Sequence, residues 1–209
     1  MNNDISKLIQ LEFNLKNCEN DSELFYSIVN QTIEVMPYEQ AILLGINYSS
    51  SLKVEAISNI VAVDSTSPFV QYIEDLANSL LNLYNTQDIK LVNQNELSKE
   101  IKEQIKEFSP KNIVWIPLKT IKNNVEVEFY LMLLRDEIFT LKEIEVLNYL
   151  ASSYKYFLFA TKRDSFSTKL KNMKINNKYF KYSLIFLVLV MFVPVQMSVL
   201  APCEIQAKN

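Results

Sequence analysis

Glu126 and Glu128 stand two residues apart in the segment VEVEFYLMLL, residues 125–134. Two carboxylates side by side can serve as general acid and general base in catalysis. Side chains at positions i and i+2 of a strand share one face, and the alternate positions Val127 and Phe129 supply an apolar face opposite them. The pattern therefore favours the solvated face of an amphipathic strand over a catalytic pair.

The sequence contains no histidine and a single glycine, Gly45. Histidine is the commonest general base and metal ligand, and it is the partner that activates serine or cysteine nucleophiles. Loops that cradle phosphates need several glycines, because the backbone must approach the ligand closely. P-loop and dinucleotide-binding motifs are excluded, and most enzyme classes lose their chemistry. We therefore expect no catalytic residues, no metal site and no cofactor.

The two cysteines, Cys18 and Cys203, lie on opposite sides of an apolar segment close to the C-terminus. If that segment spans a membrane, the two thiols lie in different compartments and do not pair. Two unpaired cysteines form neither a disulfide framework nor a metal cluster.

Charge is distributed unevenly along the chain. Residues 1–161 carry 22 acidic and 13 basic residues, whereas residues 162–181 carry seven basic residues and one acidic residue. A nucleic-acid-binding protein is expected to have basic residues on its folded domain, so we expect no nucleic-acid partner. A basic linker of this kind fits contact with anionic lipid, at about 1 kcal/mol for each basic residue. The candidate membrane-surface residues are Lys169, Lys171, Lys174, Lys178 and Lys181.

Residues 182–201 are predicted to form a single transmembrane helix, since about 20 apolar residues cross the hydrocarbon core of a bilayer. The run SLIFLVLVMFVPV at 183–195 contains no charge, and Tyr179 and Tyr182 precede it at the expected interface. The alternatives are a buried core helix and a signal peptide. The C-terminal position disfavours the signal peptide. The basic linker before the span places residues 1–181 in the cytoplasm and residues 202–209 outside the cell inner membrane.

Residues 1–161 read as alternating helices and strands with short polar connections. Apolar periodicity predicts helices over 3–17, 21–36, 68–81, 95–108 and 141–159, and strands over 41–46, 52–60, 91–92, 113–118 and 125–134. One antiparallel sheet flanked by helices accounts for this order, which makes the fold class α+β. The last helix is predicted to continue into the basic linker, residues 162–181.

Aromatic residues occur on more than one side of the predicted last helix. A helix that packs on one core needs only one apolar side. This predicts either a helix-pairing surface, and hence self-association through the last soluble helix, or simple packing in the core. The residues are Tyr149, Tyr154, Tyr156, Phe157 and Phe159.

Residues 18–161 resemble a GAF domain, preceded by an N-terminal helix at 1–17. The resemblance rests on the pairs AILLGI / VEAISN and IVWIPL / VEFYLMLL and on the closing segment FT..EIEVLNYLA. It implies a small-molecule sensor or a dimerisation module, with any ligand in an apolar pocket between the sheet and the central helices. The cyclic-nucleotide signature of the family is missing, and without histidine the resemblance implies neither bilin attachment nor haem sensing.

The order of a GAF-like domain, a basic linker, one span and VPVQMSVLAPCEIQAKN resembles the N-terminal part of HlyD-type membrane-fusion proteins, the periplasmic adaptors of efflux and secretion systems. That resemblance implies an inner-membrane transporter as a partner. The lipoyl-like and hairpin regions of that family do not occur before Asn209, so we expect this chain to be a fragment. The alternative is a self-contained, tail-anchored GAF sensor for a metabolite or a protein partner.

Overall fold

The structure is a computed structural model of the 209-residue chain. It describes residues 2–46, 50–84, 86–99, 101–103, 110, 112–122 and 125–172, without the side chains of 2–4, 122, 125–126 and 162–172. Residues 1–165 form one compact unit and residues 166–209 a second one. The description below concerns the first unit and the helix that begins in it.

The described elements are four longer helices, two 3-10 turns and five strands. The helices are α1 (Asn2–Lys16), α2 (Asp21–Gln31), α3 (Pro68–Leu83) and α4 (Leu141–Asn172), and the 3-10 turns are Thr32–Glu34 and Gln94–Glu96. The strands are β1 (Gln40–Ile46), β2 (Leu52–Ile57), β3 (Lys90–Leu91), β4 (Asn112–Lys122) and β5 (Val125–Arg135).

All five strands belong to one antiparallel sheet with the order β2-β1-β5-β4-β3. The β4–β5 hairpin is paired along its whole length, from Asn112 opposite Arg135 to Lys122 opposite Val125. Both predicted hairpins and the α+β fold class are confirmed.

Both faces of the sheet are covered, so that β4 and β5 read as continuous apolar runs. Val114, Ile116 and Leu118 point to the face covered by α1, α2 and α4, whereas Ile113 and Trp115 point to the face covered by α3. Successive side chains of a strand point to opposite faces. The sheet therefore separates two apolar layers, which we call the α1/α4 layer and the α3 layer.

Local sequence sets the helix starts. The Asn20 side chain accepts a hydrogen bond from the Glu23 amide at 2.9 Å, which caps α2. Pro68 occupies the first turn of α3, where its missing amide hydrogen costs nothing. Thr140 and Glu143 bond each other's backbone amides at the start of α4, which is a capping box.

Two predicted helices differ from the structure. The helix predicted over 21–36 ends at Gln31, because Thr32 begins a 3-10 turn in which its carbonyl accepts from the amides of Val35 and Met36. Of the helix predicted over 95–108, residues 94–96 form a 3-10 turn, and residues 99 and 101–103 are helical. Residues 104–108 lie outside the described part of the chain.

The predicted span at 182–201 and the tail at 202–209 lie outside the described residues. Within the part that is described, no helix is long and apolar enough to cross a membrane. Residues 169 and 171 belong to α4, without a description of their side chains. Lys174, Lys178 and Lys181 lie beyond the described residues.

Candidate functional site

Helix α1 carries two rows of apolar side chains, and only one of them contributes to the core. Leu11 and Leu15 are buried in the α1/α4 layer. Ile5, Ile9 and Phe13 are spaced by four residues, so they form one row along the helix, and 55%, 60% and 60% of their surfaces are exposed. The row of Ile5, Ile9 and Phe13 is therefore an apolar part of the α1 surface that faces solvent.

Helix α4 presents two tyrosines to solvent on the side opposite its core contacts. Leu147, Leu150 and Tyr154 are buried, whereas Tyr149 and Tyr156, seven residues apart, are 50% and 67% exposed. Residues seven apart lie on the same side of a helix, two turns from each other. We call the combined set, Ile5, Ile9, Phe13, Tyr149 and Tyr156, the two-helix surface.

A shallow groove of about 360 Å³ joins the two helices. The lining residues are Glu12 from α1 and Tyr149, Ser152, Ser153, Tyr156 and Phe157 from α4. The rings of Tyr156 and Phe157 meet edge to face, with centroids 5.5 Å apart. The groove is thus aromatic on its walls and has the small side chains of serines between them.

Glu12 is the acidic residue of the groove, and its carboxylate is already hydrogen-bonded. Ser153 Oγ donates to Glu12 Oε1 at 2.6 Å. The Tyr149 hydroxyl also bonds Glu12, and this bond together with the negative charge raises the pKa of Tyr149. These bonds tie α1 to α4 and leave an apolar outer surface. Such an arrangement suits the burial of a surface.

A second candidate region lies in the α3 layer, around Trp115 and Tyr130. Their rings are stacked with centroids 4.6 Å apart, and both side chains are fully buried. The Tyr130 hydroxyl donates to Glu128 Oε1 at 2.5 Å, and Lys119 Nζ pairs with the same oxygen. Burial and the Glu128 carboxylate both raise the pKa of Tyr130. Within the described part of the chain, the Trp115 indole N–H has no acceptor.

The solvated face predicted for Glu126 and Glu128 is wrong at Glu128. Only 18% of its side chain is exposed, because the Tyr130 hydroxyl and Lys119 of the neighbouring strand both bond its carboxylate. The side chain of residue 126 is outside the described set. No group of three or more Cys, Asp or Glu residues in the described ranges has the arrangement of a metal site.

Three solved structures show which known fold this arrangement matches. The phycocyanobilin-bound GAF domain of a cyanobacterial phytochrome matches with a TM-score of 0.55 and 12% identity, over 78% of this chain and 97% of that one. The GAF domain of an Acinetobacter phosphoenolpyruvate-protein phosphotransferase gives 0.54 and 10%, over 78% and 96%. A bacteriophytochrome from R. palustris gives 0.56 and 8%, over 79% of this chain.

The domain has the GAF fold. The chain spans only 38% of the bacteriophytochrome's length, and the low identities limit the likeness to the fold itself. No protein-family model matches the sequence, and no curated protein is similar enough to count as a relative. The GAF resemblance derived from the sequence is confirmed at the level of the fold.

A buried arginine fixes the start of α4 in this fold. Arg135 at the end of β5 donates two hydrogen bonds to Glu143, at 2.9 and 2.7 Å, and others to the carbonyls of Pro37, Glu137 and Ile138. Its guanidinium also stacks on Phe139, 3.9 Å from the ring centroid. These hydrogen bonds lower the pKa of Glu143 to about 2.

The structure describes some of the residues singled out in the sequence and shows two features that the sequence analysis missed. Cys18 is half-buried, its thiol contacts Asn14 and Ser27, and burial raises its pKa. Cys203 and the five lysines of the linker have no described side chains. The outer row of α1 was missed, although its spacing of four residues is visible in the sequence. The hydrogen bonds of Arg135 to Glu143 and to three backbone carbonyls, which we call the Arg135 clamp, were also missed. Their only local signal is the Thr-x-x-Glu box at 140–143.

Proposed function

We propose that this GAF domain is a non-enzymatic self-association module, in which the two-helix surface of one copy packs on that of a second copy. The observation that supports the proposal is the exposure of five large apolar side chains on two adjacent helices, each between 50% and 67%. Soluble domains rarely leave such a patch uncovered, and large patches commonly mark interaction sites. A symmetric pair buries the same patch on both copies.

The size of the patch suits a weak pair of copies. Aromatic side chains each bury about 150–250 Å², so the three rings and two isoleucines, about half exposed, supply about 500 Å². A pair would then bury about 1,000 Å² in total, which is the lower limit for a specific interface. Glu12 is hydrogen-bonded within its own chain, which reduces the repulsion between two copies.

A membrane anchor would place two copies in the same orientation. The proposed span at 182–201 follows α4 through the basic linker, so the α4 helices of two anchored copies would run parallel. In intact cells, a membrane-impermeant thiol reagent should modify Cys203 and leave Cys18 unmodified. Permeabilised and denatured cells control for the half-buried state of Cys18. Modification of Cys18 alone would contradict this orientation.

The finer proposal is that the chain belongs to a HlyD-type adaptor of an efflux or secretion system. It is supported by the order of domain, linker and predicted span and by the segment at 193–209. An immunoblot of source-cell membranes with an antibody against residues 1–160 tests it. The adaptor requires a band well above the 24.3 kDa of this chain. A band at that mass would favour the tail-anchored alternative.

Single-cysteine variants test self-association. In a chain with Cys18 and Cys203 replaced by serine, Tyr156→Cys should form a crosslinked dimer with a short bis-maleimide reagent. Tyr26→Cys, on α2 and 45% exposed, is the matched control and should not be crosslinked, because its cysteine lies outside the interface. Equal dimer yields for both variants would contradict the proposal, because they would reflect random collisions.

A second candidate function is the sensing of a small molecule, and the Trp115 indole supports it. A buried donor without an acceptor costs about 1–3 kcal/mol, and a ligand oxygen in the α3 layer would remove this cost. Against it, Trp115, Tyr72 and Tyr130 are fully buried and fill that layer with the chain's own side chains. A ligand would have to be small or displace one of these rings.

Trp115 is the only tryptophan, so its fluorescence reports on the α3 layer alone. Titration with the small-molecule fraction of a source-cell extract should shift its emission if the domain is a sensor. The variant Trp115→Phe has no tryptophan and controls for fluorescence that comes from the extract. An unchanged emission together with crosslinking at residue 156 would leave self-association as the function.

A further inference from the structure

We propose that Phe13 of each copy inserts into the groove of the second copy and determines which chains pair. This inference rests on the proposed self-association and specifies its contact. The groove walls are Tyr149, Tyr156 and Phe157, and Phe13 follows Glu12 of the groove in α1, with 60% of its side chain exposed. The occupant is thus a ring from a second copy of this chain.

The chemistry of the groove favours an aromatic occupant over an aliphatic one. Aromatic rings attract each other in edge-to-face arrangements, and the edge of a ring is the positive part of its quadrupole. Tyr156 and Phe157 already meet edge to face. A further ring entering between the tyrosines would place its edge toward the Glu12 carboxylate. Ile5 and Ile9 lack this complementarity.

Space and symmetry support the same occupant. Ser152 and Ser153 lie between the tyrosines in the lining of the groove, which has a volume of about 360 Å³. Phe13 is 60% exposed in its own copy, so its ring is largely unpacked there. In a two-fold interface every contact is reciprocal, so a contact between Phe13 of one copy and the groove of the other would occur twice. Phe13 of each copy would therefore contribute to the same interface.

Substitution of Phe13 tests the energetic part of the inference. In the full chain, Phe13→Ala should weaken self-association at least about tenfold, as expected for an aromatic anchor. Ile33→Ala removes a side chain that is 48% exposed outside the two-helix surface, and it should leave self-association unchanged. Circular dichroism and thermal melting verify that both variants fold. Equal affinities of Phe13→Ala and the unsubstituted chain would overturn the inference.

Mixed crosslinking tests the contact itself. Two tagged full-length chains, one with Lys16→Cys, which is exposed one turn after Phe13 on α1, and one with Ser152→Cys, both without Cys18 and Cys203, are mixed and treated with the bis-maleimide reagent. The doubly tagged product should form much faster than in a mixture of Tyr26→Cys with Ser152→Cys. If Tyr156→Cys crosslinks but the Lys16 mixture does not exceed its control, this inference fails and self-association stands. If neither crosslinks, both fail.

Discussion

At the scale of single residues, the GAF-like fold depends on a few polar contacts that anchor its elements. Arg135 satisfies its donors with three backbone carbonyls and one carboxylate, although only 6% of its side chain is exposed. A buried charge is tolerated when it is paired and fully hydrogen-bonded. Removing Glu143 leaves this cation without its partner, so the clamp is a sensitive point of the fold.

We expect Glu143→Gln to lower the free energy of unfolding by about 2 kcal/mol at neutral pH, a value reduced because a quarter of the Glu143 side chain is exposed. Its pKa is lowered from 4.5 to about 2, so the contribution is fully present above pH 4.5 and is lost as the pH falls toward 2. Urea denaturation across this range measures the difference. Glu145→Gln, on the exposed side of α4, is the control. A difference between Glu143→Gln and the unsubstituted chain that is independent of pH would contradict the clamp.

Gly45 lies in β1 beside side chains of β2 and β5. A Cβ at this position would approach Glu55 Oε1 to 2.8 Å and Phe129 Cε1 to 3.1 Å. The exposed Glu55 side chain can move away, whereas the buried Phe129 ring must shift by a few tenths of an ångström, so Gly45→Ala should lower the free energy of unfolding by about 1 kcal/mol, the low end for crowding. Thermal unfolding of the variant measures this effect. A variant as stable as the unsubstituted chain would show that Glu55 and Phe129 move aside without cost.

At the scale of elements, α3 covers the outer edge of β2. Asn78 Oδ1 accepts from the Leu52 amide at 2.9 Å, and Glu74 Oε1 accepts from the Val54 amide at 3.3 Å. Exposed strand edges invite pairing with other chains. The two side chains from α3 bond backbone amides of the β2 edge that would otherwise be available to pair with another chain. Glu74 also pairs with Lys53.

Removal of Asn78 tests this protection of the edge. Asn78→Ala leaves the Leu52 amide without its acceptor and should cost about 1–3 kcal/mol in the free energy of unfolding. It should also increase aggregation on heating, because the β2 edge becomes available. Asn148→Ala on the exposed side of α4 is the matched control and should change neither property. Equal aggregation of the two variants would contradict the protective role.

Much of the fold follows from the periodicity of the sequence. The strands of both hairpins and the starts of α3 and α4 could be predicted, because alternation, Pro68 and the Thr140–Glu143 box are local signals. The partly buried state of Glu128 could not be predicted, since it depends on contacts with Tyr130 and with Lys119 of the neighbouring strand, which alternation alone does not show. The sequence predicts α1 as a helix, but it does not show which of its two apolar rows meets the core. That choice decides the candidate site.

At the scale of the whole molecule, the two-helix surface and the predicted anchor support one account. The structure describes a domain of GAF fold whose α3 layer is filled by its own aromatic side chains and whose α1 and α4 carry an uncovered apolar surface. Fold alone does not determine function, so the surface carries the argument. The membrane segment and the adaptor role remain proposals that rest on the sequence.

The mass of the full chain in solution tests the central claim most directly. We expect sedimentation equilibrium, corrected for bound detergent, to give twice the 24.3 kDa of one chain. Tyr156→Glu places a charge in the interface and should restore the mass of one chain, whereas Tyr26→Glu should not. A single-chain mass for the unsubstituted protein at concentrations up to about 100 µM would contradict self-association through α1 and α4.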